Sequence, residues 1–153
     1  MVHTRRLVAG GALGALIATT FIAPVAAPAF AAVLPSTSVK INEVVTSGGD
    51  PGDWIEFLNT GGEPVNLSGF IVRDDKDSNV FTFADGTIIA PGEYLVIDAV
   101  EDGVGDFDFG LGKEDQVRLF DPANVLIDEV SWSAHGAPSW GRLDSGELQQ
   151  TLE

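Results

Sequence analysis

From Val39 onward, glycine, proline, aspartate and asparagine cut the chain into short runs of alternating apolar and polar residues, with little room between runs. A parallel β-α-β crossover takes a dozen or more residues. The chain is therefore directed to antiparallel, all-β architecture, a sandwich or barrel. No segment carries a helical period. The runs predict strands at 39–45, 54–59, 70–74, 80–83, 87–90, 93–98, 116–121 and 125–132, with a ninth at 147–152, so eight to nine in all. TGGEP at 60–64, ADG at 84–86, APG at 90–92 and DPAN at 121–124 are the turns, where glycine supplies positive φ and proline a fixed φ.

A strand alternates its side chains between two faces. In WIEFLN, Ile55 and Phe57 share one face and Trp54, Glu56 and Leu58 the other. The core expected from such alternation contains Ile41, Ile55, Phe57, Leu67, Val96, Leu119 and Val130. The stretch 99–115 is the longest irregular one.

The first residues read as an address. Arg5 and Arg6 precede an apolar run from Leu7 to Ala27, and Ala29-Phe30-Ala31 gives an A-x-A site, so a secretory signal peptide over 1–31 with cleavage after Ala31 is expected. Residues 32–38 form a flexible lead-in, and 39–153 the domain. An uncleaved anchor is the alternative, since the run approaches the ~20 residues that span a bilayer, but Pro24, Pro28 and the small-residue end favour cleavage. The location expected is extracellular, with no membrane attachment after cleavage.

Loss of Arg5 and Arg6 takes the formal charge from −15 to −17. Such a field repels phosphate backbones and anionic headgroups, which argues against direct nucleic-acid binding and favours basic partners or simple solvation. There is no cysteine, which removes disulfides, thiolate metal sites and thiol catalysis together. His135 is the one histidine beyond the signal region, so a multi-histidine metal site cannot form within one chain.

INEV (41–44), GDWIEFLN (52–59), VNLSGF (65–70), RD (73–74), FADGTIIAPGEYLVID (83–98), FGLG (109–112), QVRLFD (116–121), VLIDEVSW (125–132) and SWGR (139–142) stand in an order that resembles the bacterial lamin tail domain family. The resemblance covers Val39 to about Gln150. It implies an immunoglobulin-like antiparallel β-sandwich of Greek-key type, similar to the globular tail of nuclear lamins. It also implies an exported module, alone or joined to secreted nucleases, phosphatases or other hydrolases, with no catalytic residues of its own. The family pattern usually closes on a proline- and glycine-bearing tail. This chain ends at Thr151-Leu152-Glu153 instead, so either the last strand closes differently or the domain is truncated at its C-terminus.

Four groups of residues invite a chemical reading. Asp53 and Glu56 could form a glycosidase pair, which needs carboxyls ~5 to 9.5 Å apart at a cleft, but odd spacing along a strand turns them to opposite faces. Asp75, Asp77 and Asn79 resemble the opening of a calcium loop, yet the glycine and glutamate that should follow are Val80 and Gly86, and a hairpin turn explains the stretch better. The acidic loop 98–110 lacks regular spacing and reads as a solvated loop. SWSAHGAPSWGR, 131–142, brings Trp132, His135, Trp140 and Arg142 together in a loop between sheets. A serine-histidine hydrolase there lacks the nucleophile elbow.

LPSTS at 34–38 and the sequon at Asn66 are chance matches. The expectation is a non-catalytic binding or structural module with no metal and no cofactor, engaging a protein or cell-envelope partner. Its candidate partner surface is Trp54, Trp132, His135, Trp140 and Arg142, since aromatics and arginine dominate interface centres. The alternative is an accessory module or N-terminal part of a secreted metal-dependent nuclease or phosphoesterase.

Overall fold

The computed structural model describes residues 38–50 and 52–151. The expected signal peptide and all of the lead-in but Ser38 lie outside the described residues. Within them there is no helix, and eleven strands run in chain order: β1 Val39–Val45, β2 Trp54–Asn59, β3 Val65–Asn66, β4 Ile71–Arg73, β5 Phe81–Thr82, β6 Ile88–Ile89, β7 Tyr94–Asp98, β8 Asp115–Phe120, β9 Leu126–Trp132, β10 Trp140–Arg142 and β11 Leu148–Gln150.

A five-stranded sheet has the order β11-β10-β1-β2-β7 and a four-stranded sheet the order β5-β4-β8-β9, while β3 and β6 pair separately. Every strand pairing is antiparallel, and the neighbours β1 with β10, β2 with β7 and β4 with β8 are far apart in sequence. Long-range returns of this kind are the Greek-key device for closing a sandwich. Both sheets contribute to one core, with Val39, Ile41, Ile55 and Phe57 from the first and Val72, Val117, Leu119 and Val130 from the second. Phe57 meets Phe83 edge-on at 5.5 Å between ring centroids, a favoured aromatic geometry. The fold is the immunoglobulin-like β-sandwich that the strand pattern and the resemblance lead one to expect.

Six of the seven expected core residues are buried, and Val96 is not: it is 44% exposed. The register gives the reason. Ile97 lies opposite Ile55 and Leu95 opposite Phe57, whereas Val96 lies opposite Glu56 on the outer face. Leu95 and Ile97 therefore take the inner face, as cross-strand neighbours share a side.

Two strands escape the sequence pattern. β3 holds two residues, too few to alternate. β10 falls inside the stretch read as a loop, and its middle residue, Gly141, reads as a breaker. That glycine fits because a Cβ there would stand 2.9 Å from Thr151 Cγ2. β10 nevertheless sits inside the larger sheet, with Gly141 opposite Glu43 and Trp140 opposite Val44 on β1, and with β11 on its other side.

The acidic stretch 98–110 is also more ordered than its composition suggests. Bridges join Ala99 to Phe107 and Glu101 to Val104. Phe107 and Phe109 sink into the core, 4.8 Å apart. The alternation Asp106-Phe107-Asp108-Phe109 is the signal: its acids face water while its rings anchor the loop.

Candidate functional site

The segment following β9 is fixed at each step by hydrogen bonds that involve a side chain. Trp132, 6% exposed, ends β9 and donates its indole N–H to the Gly112 carbonyl at 2.9 Å. Buried Thr46 accepts the Gly136 N–H at 3.3 Å and lies 3.1 Å from His135 Nδ1. Ser139, 2% exposed, donates to Glu43, which sits at the bulge of β1, and is 2.6 Å from the Thr151 hydroxyl. Trp140 donates its indole N–H to the Ala134 carbonyl at 2.9 Å, closing the loop on itself.

Arg142 then crosses between sheets. Its guanidinium donates to Asp128 on β9 at 2.6 Å, to the Ile41 carbonyl at 2.6 Å and to the Gly146 carbonyl at 2.8 Å. Asp128 in turn accepts the Ile41 N–H at 2.9 Å and lies 3.5 Å from Lys40 Nζ. The clasp holds the β10–β11 hairpin against β9, the last strand of the other sheet.

Between β9 and that hairpin opens a cleft of about 480 Å³, within the size range of small-ligand sites. Glu129, Ser131 and Ser133 line one side, Glu147 and Leu148 the other, and Trp140 contributes an aromatic wall. No described residue makes a hydrogen bond or ion pair with the Glu129 or Glu147 carboxylate. Arg118, the cross-strand neighbour of Glu129, reaches instead to the Asp74 carbonyl at 2.6 Å and to Asp77 at 3.0 Å.

The residues singled out in the sequence are thus divided. Trp140 lines the cleft with an edge of Trp132, most of which is core. His135 is on the exposed rim of the loop, while Arg142 is committed to the clasp. Trp54 lies apart, on the outer face of β2 opposite Val45 and Asp98. Glu129 and Glu147 were not legible as site residues. Glu129 shares the outward alternation Glu129-Ser131-Ser133, but only the return of β11 brings Glu147 across from it.

The other candidate chemistries are accounted for by bonds within the fold. Asp53 accepts the Leu111 N–H at 2.7 Å and pins the acidic loop, while Glu56 accepts from Asn42 at 2.7 Å. Among the described residues three carboxylates converge, Asp74, Asp75 and Asp115, with oxygens within 4.8 Å of one another. Asp74 already accepts from Lys76 N–H and Asn79, and Asp115 from the N–H groups of Gly112, Asp75 and Gln116. Asp77 points to Arg118. These are the bonds of turns, as the hairpin reading of the stretch expects. Ser139 is bonded to Glu43 and Thr151, and His135 contacts Thr46, so the two do not form a nucleophile–base pair.

A protein-family model described as the Lamin Tail Domain matches residues 33–134. No curated protein matches the chain. The matched residues include β9 and stop before β10, so one wall of the cleft lies inside the match and the other outside it.

Proposed function

The chain belongs to the lamin tail domain family, and from that membership we propose that it works as an exported, non-catalytic binding module that docks a protein or cell-envelope partner in the cleft between β9 and the β10–β11 hairpin. One observation carries the reading: the Glu129 and Glu147 carboxylates and the Trp140 indole line one cleft, and no described residue bonds either carboxylate. Function on a sandwich fold resides in such sites rather than in the fold itself. Export is supported by Arg5 and Arg6, the apolar run 7–27 and the A-x-A sequence at 29–31.

The test uses the exported protein at about 0.15 M salt, where surface charges more than ~8 Å apart are screened. Wild type is expected to retain one saturable envelope component that Ser133→Arg, at an exposed position lining the cleft, releases. Equal retention by both proteins contradicts the site. Turnover of phosphodiesters or esters, with or without calcium or magnesium, contradicts the non-catalytic reading.

A further inference from the structure

We propose that the cleft receives the long cationic side chain of a lysine or arginine presented by a basic segment of the partner. The inference rests on the cleft being the docking site, and it names what enters.

Glu129 and Glu147 stand on opposite walls and carry no compensating cation among the described residues. Among the described residues no group of three or more ligating side chains within 4.8 Å of one another includes them, so they do not complete the compact oxygen cage that a hard metal ion takes. Two carboxylates contributed by different strands suit an organic cation with several N–H donors. Leu148 and the Trp140 indole line the same cleft and offer apolar surface to a methylene stem. An aromatic wall also attracts an ammonium or guanidinium through the ring quadrupole. The hydroxyls of Ser131 and Ser133 add acceptors for the remaining N–H groups. The net charge of −17 for the exported chain steers a basic segment toward the domain, whereas the cleft decides where it settles.

The experiment is an amide and indole N–H chemical-shift titration of the exported protein with tetralysine at about 0.15 M salt, with spermidine as a parallel probe. Saturable shifts are expected at the Trp140 indole and at Ser131, Ser133 and Leu148. Glu129→Gln with Glu147→Gln should weaken binding tenfold or more. Glu63→Gln with Asp85→Asn, which removes equal charge from exposed turns, should leave it within twofold. Shifts centred on 98–110, or equal losses in the two double variants, would overturn the proposal in favour of diffuse attraction. Cleft shifts with spermidine but not with tetralysine would overturn the peptide assignment. If tetralysine fails while Ser133→Arg still releases the envelope component, the binding module stands and only the cationic ligand falls.

Discussion

Asp128 and Arg142 meet at 2.6 Å although their strands, β9 and β10, belong to different sheets. Their side chains are 10% and 15% exposed, so the pair is largely desolvated. Each also bonds the Ile41 backbone, and the three together fasten the hairpin that forms one wall of the cleft.

Removing Asp128 leaves a largely buried guanidinium without a carboxylate, and removing Arg142 leaves Asp128 only the longer contact to Lys40 at 3.5 Å; breaking such a buried pair typically costs about 3–5 kcal/mol. Asp128→Ala and Arg142→Met should each destabilise the domain by that order in urea denaturation. The double variant should lose clearly less than the sum of the two, since coupled neighbours deviate from additivity by about 0.5–3 kcal/mol. Strict additivity would mean that the contact contributes nothing.

The inner and outer assignments of β7 make a paired prediction. Ile97→Thr introduces a hydroxyl into the core and should cost at least about 1 kcal/mol. Val96→Thr changes an exposed residue and should stay within about 0.5 kcal/mol of wild type. A reversed order would mean that the register of β2 with β7 is off by one residue.

Much of the fold was readable because two-residue periodicity reports burial directly. The limits of β1 and β2 match the alternation residue for residue. Val96 was misassigned because β7 is apolar at successive positions, so alternation alone could not choose between its faces, and the choice came from its partner Ile55–Phe57 strand. β10 was hidden for a different reason: Trp140-Gly141-Arg142 is held by long-range pairing and has no local pattern. The site was half legible. Trp140 stood out by type, whereas Glu147 acquires its role through the position of β11.

Gly105 has φ 137°, and a Cβ there would stand 2.6 Å from the Ala99 carbonyl oxygen. Backbone states of this kind cost a non-glycine residue on the order of 1–3 kcal/mol. Gly105→Ala should therefore lower stability by at least that much and speed amide exchange at Val100 and Phe107, whose backbones bridge there. An unchanged exchange pattern would mean that the loop closes differently.

Ser139→Ala would leave the Glu43 carboxylate without its buried hydroxyl donor. Losing such a donor costs about 1–3 kcal/mol, and a change in melting temperature reads it. The same substitution should leave tetralysine affinity within twofold, because Ser139 lies behind the cleft and does not line it. A large affinity loss in a fully folded variant would move the docking site toward the 133–139 loop.

The central claim is that partners are engaged at the cleft, and site-specific photo-crosslinking tests it most directly. A benzophenone side chain is placed in the purified protein at Ser145, exposed in the β10–β11 turn next to the cleft residue Gly146, or at Thr82 on β5, the opposite end of the same sheet as β9. A discrete adduct with an envelope component from position 145, absent from position 82 and diminished by Glu129→Gln with Glu147→Gln, is the expected result. Adducts from position 82 alone, or from neither position, would contradict it.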